Sequence, residues 1–138
     1  MPIHIAILKR PYLDLIISGR KRLECRLTRV ACPPFKKISS DQKVLLKQSA
    51  GPVRAQAVVE KVLFEENLTP ARVDEIYRSY NDLILAQDDF WHNRRDCRYC
   101  SLIWLKNITP CSPYRLRTRG LKAWHILEPQ QLNQLKVK

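Results

Sequence analysis

The segment Gly19-Arg20-Lys21-Arg22-Leu23-Glu24-Cys25-Arg26 sets one carboxylate among four cations, the densest chemistry in this chain. In an extended strand, alternate residues share a face. Arg22, Glu24 and Arg26 then project one way, and Leu23, Cys25 and Leu27 the other. The apolar set is available to a core. The charged set makes an ionic row with Arg20 and Lys21 at its entrance. Neighbouring cations keep a carboxylate ionised and also make it a weaker base. The row suits a polar, anionic ligand: lysine supplies a point charge, and arginine a bidentate fork for phosphate. Glu24 can accept a hydrogen bond from a base amino group or orient Arg26. A plain ion pair with Arg22 or Arg26 competes with both roles.

The flanking residues show how such a row is positioned. Residues 3–8 are β-branched and apolar and read as a strand. Pro11 suits the first turn of a helix carrying Tyr12, Leu13, Leu15, Ile16 and Ile17, and Gly19 is a natural stop. The ionic strand follows over 22–28, then a loop over 29–41 and a strand over 43–47. Gly51-Pro52 marks a turn. A long strand over 53–64 places Val53, Ala55, Ala57 and Val59 on one face. Thr69 and Pro70 open a helix in which Val73, Ile76, Tyr77, Tyr80, Leu83 and Ile84 have core spacing. A further helix is expected over 86–96 and a buried strand over 99–105. Pro110 and Pro113 bracket a bend. Arg115, Arg117 and Arg119 share one side if that stretch is extended, which makes them candidate nucleic-acid contacts. A last strand covers 123–127, and a polar tail 129–138 is expected to fray. Many short strands with a few helices predict a mixed α/β, mainly β fold: a small barrel with peripheral helices.

A chain of 138 residues, 45% apolar and 28% charged, predicts one globular domain over 1–138 with its core at about 3–127. No apolar run approaches the ~18 residues of a membrane-spanning helix. Lys9 and Arg10 follow the first apolar run, the reverse of secretory-signal order, so a cytoplasmic chain is expected. The net charge of +12 is separated into blocks. Residues 1–48 carry 11 Lys/Arg against 3 Asp/Glu, residues 49–90 carry 4 against 8, and residues 91–138 carry 10 against 2. Two basic ends around an acidic middle form one positive face if the ends lie side by side, the footprint of a nucleic-acid binder.

Five cysteines form no disulfide framework, being odd in number in a chain that is not short. Cys97 and Cys100 have metal-ligand spacing, but zinc needs a second well-spaced pair. Small buried thiols are the expectation, with no metal and no cofactor. His4 and His125 lie in apolar strands and suit core packing, and His92 suits the surface. No Ser/Cys–His pair or glycine-rich phosphate loop is evident.

Lys9-Arg10-Pro11-Tyr12, the apolar helix, Gly19-Arg20-Lys21 and Glu24-Cys25-Arg26 together resemble the ASCH (activating-signal-cointegrator homology) domain. That domain's hallmark is a Pro-Tyr or Pro-Trp start followed by G-x-K-x-x-E-x-R. Phe90-Trp91, Arg94-Arg95, Tyr99 through Trp104, and Ala123-Trp124-His125-Ile126-Leu127 are similar to its later parts. The resemblance spans about residues 3–127. It implies a PUA-like barrel, a fold whose families commonly bind RNA, and a basic cleft beside the first helix. It also implies that Lys21, Glu24 and Arg26 line that cleft with Tyr12 nearby; together with Lys9 and Arg20 these are the candidate ligand-binding residues.

Two functions follow as expectations. One is a module binding RNA or an RNA component, a nucleotide or nucleoside, with a protein partner also open. The other is an ASCH-type ribonuclease or modified-nucleoside amidohydrolase in which Lys21 and Glu24 are catalytic. ASCH-like amidohydrolases use a lysine, a nucleophilic threonine three residues on, and a distant glutamate. This chain has Lys21 but Glu24 in the threonine's place, and a carboxylate cannot take over the hydroxyl's acyl-transfer role without a different mechanism. Cleavage with Lys21 stabilising a phosphorane-like state and Glu24 as base needs no such hydroxyl.

Overall fold

The computed structural model describes residues 1–118 and 122–137. Ten elements follow in chain order: β1 (Ile3–Leu8), α1 (Arg10–Ile17), β2 (Leu23–Thr28), β3 (Lys43–Gln48), β4 (Val53–Glu66), α2 (Pro70–Ile84), α3 (Asp88–His92), β5 (Tyr99–Tyr114), β6 (Trp124–Leu127) and α4 (Pro129–Leu135). The strands form one sheet in the order β2-β5-β4-β3-β1-β6, in which only β1 and β3 run parallel. The fold is mixed α/β and mainly strand, a six-stranded half-barrel with helices. β4 and β5 are 14 and 16 residues long, and three register shifts interrupt their pairing. Such shifts bend a strand pair and curve the sheet.

Both faces of the sheet are covered. Ala6, Leu8, Val44, Leu46, Ala55, Ala57, Val59, Ile103, Leu105 and Trp124 line the concave interior, which Leu13 and Ile16 of α1 close. On the opposite face Leu23, Cys25 and Leu27 of β2 pack against Val73, Ile76 and Ile84 of α2 and Trp91 of α3. Elsewhere on that face Ile5, Leu45, Val53 and Leu116 form a further cluster, against which Leu132 and Leu135 of α4 pack. Thr69 caps α2, its side chain accepting from Arg72 N at 3.2 Å.

Several expectations change. Val53 leaves the face of Ala55, Ala57 and Val59, because a register shift separates it from them. The strand after Tyr99 runs through Pro110 and Pro113 to Tyr114 instead of bending. β2 pairs only Tyr99–Trp104 of β5, so the rest of β5 has one unpaired edge, where residues without an N–H are tolerated. The helix expected over 86–96 is confined to Asp88–His92. The polar tail contains α4, started by Pro129 and a reciprocal cap in which Gln131 Oε1 accepts from Glu128 N at 2.8 Å.

Candidate functional site

The ionic segment is aimed by the end of α1. Gly19 has φ +83°, a left-handed conformation that strains residues carrying a Cβ. Beyond it, Arg20 N and Lys21 N both donate to the Leu15 carbonyl at 3.0 Å. This tight wrap leaves Arg20 exposed and Lys21 only 2% exposed. Lys21 Nζ donates to the Ile84 carbonyl at the end of α2. The last carbonyls of a helix lack intrahelical partners and favour a cation. The same ammonium lies 3.6 Å from Glu24 Oε1 and 5.6 Å from the centre of the Tyr12 ring.

Glu24 occupies the concave side of β2 and is 7% exposed. Its Oε1 accepts from Cys25 N at 3.2 Å, and its Oε2 from Arg26 Nη2 at 2.9 Å. Burial alone pushes its carboxyl pKa up, but Arg26 and Lys21 together hold it below the ordinary value. Arg26 then crosses the open seam of the half-barrel. Nη2 donates to the Ile7 carbonyl of β1 at 3.1 Å, and Nη1 to the Ala123 carbonyl beside β6 at 3.3 Å. Since β2 and β6 are the sheet's two edges, one guanidinium connects them. It stands 5.1 Å from the centre of the Trp124 ring, whose Nε1 donates to His4 Nδ1 at 3.0 Å. His4 Nε2 donates in turn to Gln42 Oε1 at 2.8 Å. Burial depresses the His4 pKa, and the paired roles of its two nitrogens require the neutral ring. The buried charges of the row, Lys21 and Glu24, thus have protein partners, while Arg20 and Arg22 are exposed.

The seam opens into a cleft of about 720 Å³. Lys9, Pro11 and Tyr12 form one wall, and Asp89, Phe90 and Arg94 another. Lys47 and Ser49 from the end of β3, with Thr118 and Lys122 before β6, also line it. Glu24 and Arg26 lie between. Lys9, Arg26, Lys47, Arg94 and Lys122 outnumber Glu24 and Asp89, and cations from both basic blocks meet here.

A family model for the ASCH domain matches residues 7–135. The chain belongs to the ASCH family. Membership supports an RNA-binding or RNA-processing module in general terms. The crystal structure of ASCH from Zymomonas mobilis is similar at 15% identity and TM-score 0.71, covering 99% of this chain and 96% of that one. A tyrosine-to-phenylalanine mutant of the same protein gives 15% identity and TM-score 0.72, with 98% and 99% covered. At that identity the likeness establishes the shared fold. No curated protein matches the chain.

Within this ASCH domain Lys9, Tyr12, Glu24 and Arg26 line the cleft. Lys21 sits behind it, in a side pocket of about 20 Å³ shared with Tyr12, Glu24, Ile84 and Phe90. Arg20 is outside the cleft wall. Arg115 and Arg117 are exposed and also outside it, on either side of buried Leu116. Their backbones pair with the α4 end, Arg117 N donating to the Leu135 carbonyl at 2.8 Å and Val137 N to the Arg115 carbonyl at 3.0 Å. Arg119 lies outside the described residues.

Lys47, Phe90, Arg94 and Lys122 join the cleft without having been singled out as site residues. For one pair a local signal exists: Phe90 and Arg94 are four residues apart, and the guanidinium sits 4.1 Å from the ring centre. Cys25, Cys97 and Cys100 are buried free thiols. The Cys25 pKa is raised well above the ordinary value, first by its hydrogen bond with Cys100 and then by burial, which disfavours a nucleophilic thiolate. Among the described residues no group of three or more His, Cys, Asp or Glu is placed to hold a metal ion, and no helix is long and apolar enough to cross a membrane.

Proposed function

We propose that this ASCH domain binds single-stranded RNA in the cleft beside α1. The observation that carries this reading is the excess of cations without carboxylate partners in the cleft wall. Among the described residues Lys9, Lys47, Arg94 and Lys122 belong to no ion pair. Lys9 and Arg94 are placed to neutralise backbone phosphates. Tyr12 and Phe90 supply ring surface on which an unpaired base can stack. Glu24, with both oxygens engaged by Arg26, Lys21 and Cys25 N, holds Arg26 at the cleft.

The geometry favours binding over processing. The Lys21 ammonium already meets the Ile84 carbonyl and Glu24, and the space beside it is about 20 Å³, too small for a nucleotide. Fluorescence anisotropy with a labelled single-stranded RNA across a salt series tests the proposal. We expect affinity to fall steeply with salt, each phosphate contact contributing a slope of about −0.7 on logarithmic axes. Lys9→Ala should weaken binding by about 1 kcal/mol, reduce the slope by roughly one contact, and leave the melting temperature unchanged. Salt-independent binding of a lone nucleoside would replace the RNA reading with a small-molecule site.

A further inference from the structure

We propose that the part of the cleft around Lys47 and Lys122 is a subsite for a terminal phosphate monoester of the bound RNA. This rests on the RNA reading above and adds which chemical group the cleft takes there. Lys47 is the unusual residue. It lies at the end of β3 just past a register shift, lines the cleft, and is only 6% exposed. Its one hydrogen bond goes to the adjacent Gln48 carbonyl at 3.3 Å, and no described carboxylate pairs with it. Lysine is almost never this buried without a partner.

The surroundings add positive charge. Burial lowers the Lys47 pKa, and the Arg115 guanidinium, outside the cleft wall, lowers it further. Lys122 lines the same cleft, with the hydroxyl residues Ser49 and Thr118. His125 of β6 lies within electrostatic range of both lysines and has a buried Nε2 without a hydrogen-bond partner. A buried polar atom left unpaired is uncommon and needs an explanation. Burial, Lys122 and Lys47 hold the His125 pKa below its ordinary value, so the ring is neutral. An anion beside Lys47 neutralises the ammonium and can accept from the Nε2–H tautomer of that ring. Two lysines leave more positive charge than the single negative charge of a phosphodiester offsets. A monoester, with a charge near −2, matches the deficit better. The contrast with Arg26, whose guanidinium is already held by Glu24 and two carbonyls, marks this part of the cleft as the one lacking an anion.

The test compares one single-stranded RNA sequence prepared with a 5′-phosphate, a 3′-phosphate or neither, in competition at fixed salt. We expect one phosphorylated form to bind about tenfold tighter than the unphosphorylated RNA, the size of a charge-assisted contact. Lys47→Gln should bring that ratio close to one, and exposed Lys122→Ala should reduce it without a loss of folding. Lys9→Ala should weaken all three RNAs and preserve the ratio. A wild-type ratio near one, or a ratio unaffected by both Lys47→Gln and Lys122→Ala, overturns the subsite while leaving RNA binding in place. If none of the three RNAs binds, the RNA reading fails instead. The subsite is then judged by titrating a nucleoside monophosphate against the His125 ring signal: a saturable shift abolished by Lys122→Ala assigns the phosphate to a free nucleotide, and no shift refutes it.

Discussion

Two clusters of charge, each with members in the cleft wall, are built in opposite ways. Lys21 and Glu24 are buried with Arg26 half-buried beside them, and every one of them meets a partner. Lys47, Lys122 and His125 also stand close to one another, but with no carboxylate among them and one ring nitrogen unpaired. The first cluster ties β2, the α2 end, β1 and the start of β6 across the barrel seam. The second leaves its charge for something outside the chain. Density of charged residues in sequence is therefore a poor guide to ligand contact. What matters is whether the protein itself already neutralises the charge.

The largest expected effect breaks the first cluster. Glu24→Gln nearly preserves shape but leaves buried Lys21 and half-buried Arg26 without their anion. Removing one partner of a buried pair costs on the order of 3 kcal/mol, which a urea midpoint would register clearly. An unchanged midpoint, with altered base selectivity in RNA binding, would move Glu24 from holding the seam to reading the ligand.

Acid should act on the same contacts. The folded-state pKa of Glu24 lies below its ordinary 4.5, so its contribution to stability is full above that pH and is lost as pH falls further. His4 is lowered from 6.5 by burial, so its loss runs in the same direction and begins near pH 6.5. Urea midpoints measured against pH should decline in these two windows. Glu24→Gln should flatten the lower one alone.

The smallest effect concerns a residue that shares the sequence motif but not the cluster. Arg20→Ala removes an exposed cation outside the cleft wall and should change stability and RNA affinity by less than about 0.5 kcal/mol. A loss as large as that of Lys9→Ala would mean that the RNA path extends over the α1 end.

Much of this was legible in the sequence because it depends on local pattern. The period-2 alternation in β2, Gly19 as the stop of α1, and Thr69-Pro70 as the start of α2 are all short-range signals. The burial of Lys21 was not legible. It depends on the Ile84 carbonyl, 63 residues away. Lys47 carried no mark beyond ending an apolar strand, because its neighbours Arg115, Lys122 and His125 come from the far end of the chain. α4 was hidden by its polar composition. Only Leu132 and Leu135 reach the cluster beneath it, and the Glu128–Gln131 cap was the sign of a helix start.

The most direct test of the central claim is a map of backbone amide shifts as single-stranded RNA is titrated into the labelled protein. The account predicts saturable changes gathered at Lys9, Tyr12, Phe90, Arg94 and Lys122, with Tyr77 and Leu83 on the exposed side of α2 unmoved. Changes confined to α2, or scattered without saturation, would contradict the assignment of the cleft as the RNA-binding site.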